Sequence, residues 1–201
     1  MRWGCAVAVL VLVATAGCAA RAGGGQAAYP GPDCLSAATV SPPAAPVGPA
    51  AAEPTAAEPL PDLVLPCLDG GRPVRLAATG SPMVINLWAS WCAPCRQELP
   101  EFQRFADRTA GRVRVVGVDT NDGQTAARAL VGDLRLGFPM LFDSDARLLA
   151  AVGRTALPVT LFVDGTGRIR YLYNAQPLDE ATLTALTRRY LGAAAMGAAA
   201  L

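Results

Sequence analysis

The 201-residue chain carries 17 basic and 16 acidic side chains, which gives a formal net charge of +1. This near balance argues against nucleic acid or a strongly acidic protein as a partner. The sequence contains no lysine and no histidine, so the commonest metal ligand and the commonest general base are both missing. The length allows one domain of ordinary size with additional segments.

The first 21 residues have the pattern of an export signal. Arg2 precedes an apolar stretch, residues 5–17, that is too short to span a bilayer comfortably as a helix. The sequence TAGC, which ends at Cys18, resembles a bacterial lipobox, so we expect Cys18 to carry lipid and to anchor the chain to the membrane. The alternatives are cleavage at residues 20–22 and an uncleaved short anchor. All three place the rest of the chain outside the cytoplasm.

Three further segments follow this signal. Residues 22–60 are rich in Gly, Ala and Pro and have no helical or strand period, so we expect an extended tether. Residues 61–191 alternate between strand and helix patterns, which predicts one α/β domain with a central mixed sheet flanked by helices. Residues 192–201 form an Ala-rich tail that we expect to be frayed.

Hydrophobic runs and periods predict the elements of the domain in chain order. A short edge strand within 72–78 precedes a nearly continuous apolar run at 82–89, which is typical of a buried central strand. Apolar residues at helical spacing then predict a helix over 93–111. The remaining predictions are a strand at 113–119, a helix at 123–137, a strand at 138–143, a helix at 145–153, a hairpin at 159–174 and a helix at 178–192.

Four cysteines lie beyond the signal, an even number in a chain whose export permits disulfides. Cys92 and Cys95 are close in sequence and form one predicted pair. Cys34 and Cys67 are then left for each other, and a bridge between them would pin the base of the tether to the domain. The alternative is that both remain free thiols.

The sequence Cys92-Ala93-Pro94-Cys95 follows the predicted central strand and opens the long helix. A structural zinc site needs a second such pair or histidines, and haem attachment needs a histidine after the second cysteine, so neither applies. At a helix start the Cys92 sulfur meets unpaired backbone N–H groups and the positive end of the helix dipole, which favour the thiolate. We therefore predict a redox centre without metal or other cofactor, in which Cys92 attacks and Cys95 releases the substrate.

The surrounding sequence, NLWASWCAPCRQELP at residues 86–100, resembles the TlpA/ResA-type branch of membrane-anchored thiol-disulfide oxidoreductases. The resemblance covers about residues 61–191 and implies a thioredoxin-like fold, with 121–140 as the helix-strand central insertion of that branch. Pro100 matches the proline in the active-site helix of thioredoxins. Asn86 stands where thioredoxin itself has a buried aspartate.

The resemblance also implies the roles of several site residues. Pro158 is expected to be a cis-proline packed against the redox disulfide, and Leu157 to offer its backbone groups to the substrate. Glu98 would take or give the proton as the dithiol opens and closes, unless it is only an exposed carboxylate in the first part of the helix. The other expected substrate contacts are Trp91, Ala93 and Pro94.

The function implied by the resemblance is thiol-disulfide exchange with protein cysteines on the outer face of the cytoplasmic membrane. The resemblance favours a reductase that has apocytochrome c as a client and receives its electrons from an integral-membrane donor. An oxidase of exported proteins stays open, because the direction depends on how well the Cys92 thiolate is stabilised relative to the disulfide. A thiol peroxidase would need a Thr-containing motif that does not precede Cys92. A binding module with a purely structural disulfide is the remaining alternative.

Overall fold

The elements come from a computed structural model, which describes residue 1 and residues 34–35, 57–78 and 80–196. The strands are β1 (Glu58–Pro59), β2 (Val64–Leu65), β3 (Val74–Arg75), β4 (Met83–Trp88), β5 (Arg114–Thr120), β6 (Met140–Asp143), β7 (Val159–Val163) and β8 (Arg168–Tyr173). The helices are α1 (Ala93–Thr109), α2 (Gln124–Asp133), α3 (Arg147–Ala151) and α4 (Glu180–Leu191), with short 3-10 helices at Leu76–Ala78 and Ala193–Met196.

Six of the strands described form one mixed sheet in the order β1-β8-β7-β4-β5-β6. The central strand β4 is parallel to β5 and antiparallel to β7, and β7 and β8 form the predicted hairpin. All six residues of β4 are buried, as a continuous apolar run in a central strand requires. The predicted α/β architecture with a central mixed sheet is therefore confirmed.

Apolar clusters cover both faces of this sheet. Successive residues of β4 point to opposite faces, so Val84 and Trp88 join one cluster while Ile85 and Leu87 join the other. The first cluster contains the buried apolar residues of α1, α2 and α4, and the second contains those of α3. The helices thus lie on both faces, and β4 leads directly from the middle of the core into α1.

The folded domain begins before the predicted boundary at residue 61. Strand β1 pairs antiparallel with β8, the Leu60 N–H donates to the Gly167 carbonyl at 2.9 Å, and Leu60 is buried. Two paired residues are too few to show a strand period, which is why the Pro/Ala-rich composition concealed them. The strand predicted within 72–78 is likewise limited to β3, which pairs with β2 and is followed by a 3-10 helix.

The prediction of a frayed tail at residues 192–201 is also wrong for the first residues of that segment. The 3-10 helix Ala193–Met196 packs back onto the domain, with Ala195 and Met196 buried. The Arg112 guanidinium donates to the Met196 carbonyl at 3.2 Å. Alanine gives no hydrophobic period of its own, so the sequence carried no sign of this contact.

Cys34 and Cys67 form a disulfide, with their Cα atoms 5.9 Å apart. Cys67 pairs with Leu141 of β6, and the Leu68 N–H next to it donates to the Met140 carbonyl at 2.9 Å. The bridge therefore connects the N-terminal part of the chain to the sheet itself. Residues 2–33, which include the predicted signal and Cys18, and residues 36–56 of the predicted tether lie outside the described residues. Among the residues described, no helix has the length and apolar character that a membrane span needs.

Replacing both cysteines of this bridge should destabilise the domain without touching the redox pair. We expect the double variant Cys34→Ser/Cys67→Ser to lose about 3–4 kcal/mol of unfolding free energy, because the bridge joins residues 33 apart and restricts the unfolded chain. Urea unfolding of the oxidised proteins measures this loss. The variant's thiol exchange with a small disulfide is the control and should be unchanged. A loss below about 1 kcal/mol would show that the bridge contributes little.

Candidate active site

Cys92 is the N-cap residue of α1. Its backbone is extended, with φ −82° and ψ 102°, and its sulfur accepts the Cys95 N–H at 3.3 Å. Pro94 lies in the first turn, where a missing N–H costs no hydrogen bond. The Cys92 sulfur consequently sits at the positive end of the α1 dipole, where a thiolate is stabilised.

Cys92 and Cys95 form a disulfide with a Cα–Cα distance of 5.3 Å. Cys95 is fully buried, and Cys92 is only 5% exposed, less than its position at a strand-to-helix junction suggests. The residues around it are more open: Trp91 is 61% exposed, and Ala93 is exposed as well. The two residues next to Cys92 in the sequence therefore form the exposed surface beside its sulfur.

The Leu157–Pro158 peptide bond is cis, as the resemblance implied. Pro158 immediately precedes β7, whose Val159 is paired with Leu87 near the end of β4. This register puts Pro158 at the same end of the sheet as the start of α1. Leu157 packs against the cluster that contains both redox cysteines, and its own N–H and carbonyl have no hydrogen-bond partner among the described residues.

Glu98 is buried on α1, so the alternative of an exposed carboxylate is wrong. Its Oε1 accepts the Asn86 side-chain N–H at 2.7 Å, and its Oε2 accepts the Leu178 backbone N–H at 3.0 Å. Burial raises the pKa of Glu98 to about 7, although both hydrogen bonds act in the opposite direction. Since residues three apart share a helix face, Glu98 lies on the same side of α1 as Cys95 and can exchange a proton near neutral pH.

Asn86 holds this carboxyl group from the central strand. Its amide N–H₂ also reaches the Thr160 hydroxyl at 3.4 Å, which connects β4, β7 and α1 below the redox pair. The sequence marked Asn86 only as a departure from thioredoxin. Its role as a donor to Glu98 could not be inferred without the fold, because twelve residues separate the two groups.

A second pair of contacts fixes the segment just before Cys92. The Ser90 N–H donates to the Asp122 carboxylate at 2.5 Å, and the Trp91 indole N–H donates to the Asn121 carbonyl at 3.0 Å. The loop after β5 therefore holds the two residues that precede the reactive cysteine. Sequence reasoning missed this loop, although polar residues at the carboxyl end of a buried parallel strand are a recognisable sign of a site.

Asp119 lies behind this loop and was also missed. It is fully buried, and no N–H or O–H of the described residues reaches either of its oxygens. Burial, and then the negative charge of Asp122, raise the pKa of Asp119 to about 8. Asp119 therefore keeps its proton at neutral pH and can donate it in a hydrogen bond to Asp122. No group of three or more potential metal ligands occurs within the described residues.

The sequence from residue 56 to residue 172 matches the model of the AhpC/TSA family, and this range includes both redox cysteines, Glu98 and Pro158. The chain belongs to the AhpC/TSA family. It is 30% identical over 116 residues to the thioredoxin-like protein YneN of Bacillus subtilis, covering 56% of this chain and 68% of that protein. It is 36% identical over 93 residues to the thiol:disulfide interchange protein DsbE of Escherichia coli, covering 46% of this chain. The chain spans about half of DsbE, 49% of its length.

Solved structures agree with this family membership. The crystal structure of a putative thiol:disulfide interchange protein DsbE from Chlorobium tepidum superposes with a TM-score of 0.60 at 26% identity. The match covers 70% of this chain and 97% of the other. The predicted thioredoxin-like fold and the resemblance to thiol-disulfide oxidoreductases are thus confirmed.

The buried carboxyl groups make stability depend on pH. Folding raises the pKa of Glu98 from 4.5 to about 7, so its stabilising effect is complete below pH 4.5 and is lost as the pH rises through about 7. Glu98→Gln should remove this component, which amounts to about 3 kcal/mol. Urea unfolding of the oxidised protein between these pH values measures it.

Asp119→Asn is the matched control for this experiment. Asp119 contributes a separate loss of stability that continues until about pH 8, because its pKa in the folded protein is higher. The Asn variant should therefore lose stability less steeply between about pH 4 and 7, where only the Glu98 component is left, and should show no further loss between about pH 7 and 8. If the Glu98→Gln variant retained the full pH dependence of the unaltered chain, Glu98 would not be the titrating group.

Proposed function

We propose that the chain is an extracytoplasmic thiol-disulfide oxidoreductase of the DsbE/ResA type that acts on protein cysteines. The observation that carries this proposal is the Cys92 sulfur at the N-cap of α1, where it accepts the Cys95 N–H. A sulfur in this position is stabilised as a thiolate once the disulfide is reduced. The relatives named as thiol:disulfide interchange proteins support the same chemistry.

In the reducing direction, the Cys92 thiolate attacks one sulfur of a substrate disulfide and forms a mixed disulfide. The other substrate sulfur leaves and takes up a proton. Cys95 then gives up its proton and attacks the Cys92 sulfur, which forms the Cys92–Cys95 disulfide and releases the second substrate thiol. Two electrons pass from the dithiol to the substrate, and a reductant must return them before the next cycle.

Glu98 is the proposed acceptor of the Cys95 proton. It lies one helical turn beyond Cys95, and its pKa of about 7 matches a group that both accepts and releases protons near neutral pH. The burial of Cys95 makes such a partner necessary, because bulk water cannot take the proton directly. Trp91, Ala93, Pro94 and the Leu157 backbone are the proposed contacts of the substrate polypeptide.

We assign the reducing direction from the resemblance to the TlpA/ResA branch. Apocytochrome c, with its Cys-x-x-Cys-His thiols, is the proposed client, and an integral-membrane protein is the proposed electron donor. Lipid on Cys18 would hold the domain on the outer face of the cytoplasmic membrane. Intact-mass measurement of membrane-extracted protein tests the lipid, since cleavage elsewhere gives an unmodified chain.

Removing the second cysteine should trap the substrate. In Cys95→Ser the Cys92 thiolate still attacks, but the site has no second cysteine to resolve the mixed disulfide, so a covalent complex with an oxidised Cys-x-x-Cys-His peptide should be captured when the freed peptide thiol is alkylated on quenching. Mass spectrometry under non-reducing conditions measures the complex. Cys92→Ser is the matched control and should give none. An equal yield from both variants would show that Cys92 is not the attacking cysteine. If neither variant formed a complex, the proposed activity would be contradicted.

The reduction potential of the Cys92–Cys95 pair decides the direction. Titration against glutathione or dithiothreitol, followed by Trp91 fluorescence, should give a value near that of thioredoxin, about −270 mV. A value near about −120 mV would indicate an oxidase that introduces disulfides into exported proteins. The cytochrome client would then be excluded.

A further inference from the structure

Asn174 directly follows β8 and bonds to the loop that ends in Pro158. Its side-chain amide donates to the Pro158 carbonyl at 2.6 Å and lies 3.4 Å from the Ala156 carbonyl. Asn174 is exposed and is not part of any apolar cluster. The residue therefore contributes to the loop through hydrogen bonds and not through packing.

The two carbonyls belong to alternate residues, one on each side of Leu157. Both carbonyls lie within reach of the same amide nitrogen, so the Asn174 amide occupies one side of the loop. The N–H and carbonyl of Leu157, the residue between them, have no hydrogen-bond partner among the described residues and can pair with another chain. One N–H and one carbonyl from the same residue form the pair of hydrogen bonds that an added antiparallel strand uses.

We propose that Asn174 is a positioning residue that holds the loop of residues 156–158 so that Leu157 can pair with an extended cysteine-containing polypeptide. This inference rests on the proposed function and adds a residue that positions its substrate-binding loop. A substrate with free backbone N–H and carbonyl groups beside its cysteine can form hydrogen bonds with Leu157 and should therefore react faster. A small disulfide without a peptide backbone cannot.

The amide group is suited to this task because it supplies two N–H donors to two carbonyl acceptors. An aspartate in its place has the same shape but, when ionised, only accepts hydrogen bonds, so it would repel both carbonyls. Because Asn174 is exposed, its replacement should change the domain's stability little. The effect on the loop can thus be separated from an effect on folding.

The test compares two disulfides that share a leaving group. One is a short unstructured peptide whose cysteine carries an aryl thiol in a mixed disulfide, and the other is the symmetrical aryl disulfide. The pre-reduced full chain reacts with each in a single turnover. Cys92 displaces the coloured aryl thiolate and forms a mixed disulfide with the peptide cysteine or with the second aryl group. Cys95 then attacks the Cys92 sulfur, expels the peptide thiol or the second aryl thiol, and closes the Cys92–Cys95 disulfide, so the protein itself supplies both electrons.

We expect Asn174→Asp and Asn174→Ala to react about tenfold more slowly with the peptide, the size of effect that the loss of one or two hydrogen bonds produces. Their rates with the aryl disulfide should stay within about twofold of the unaltered chain, because the attack itself is intact. Gln176→Ala is the control, since Gln176 is exposed and makes no hydrogen bond among the described residues. Its rates should be unchanged for both substrates.

Three results would overturn the inference. An unchanged peptide rate in both Asn174 variants would show that the amide does not position the loop. Equal losses on both substrates would show a general disturbance, which urea unfolding of the same variants would also reveal. If the unaltered chain reacted with neither disulfide, the proposed function would fail, and the positioning role with it.

Discussion

The junction between β4 and α1 is the constraint on which the rest of the site depends. The central strand is buried along its whole length, and the chain that leaves it begins a helix at Ala93, at the edge of the core. The first N–H groups of that helix need acceptors, and the Cys92 sulfur serves as one. The same sulfur is the proposed nucleophile, so the helix start and the reactive group share one side chain.

Two buried carboxyl groups lie near this junction and differ in the hydrogen bonds that they accept. Glu98 receives two N–H donors, one from β4 and one from the segment before α4, which fixes its position in the core. Asp119 receives none and must keep its proton to remain buried. Asp122 accepts the Ser90 N–H instead and so carries the contact with the active-site loop. Burial raises the pKa of both Glu98 and Asp119, so both carboxyl groups hold their protons to a higher pH than an exposed carboxyl group does.

The sequence predicted the long elements and the residues that carry a motif. The apolar run of β4, the period of α1 and the two redox cysteines are local patterns with a physical reason, whereas the cis-proline at Pro158 was implied only by the resemblance to a known family. Prediction failed where the reason is a distant contact. The pairing of β1 with β8, the packing of Met196 and the donors around Glu98 all depend on residues far apart in the chain. Alanine- and proline-rich segments hide such contacts, because their composition gives no period.

The segment around Cys67 has a consequence for the chain's behaviour in a crowded compartment. Strand β6 is the last in the sheet, and the Phe142 N–H donates to the Pro66 carbonyl at 2.9 Å, which satisfies a group that would otherwise face outward. At the opposite side β1 contains Pro59, which has no N–H to offer to a further strand. Proline and short pairing segments at both ends are devices that discourage one sheet from extending into another. The domain should consequently resist aggregation through its strands, even at high protein concentration.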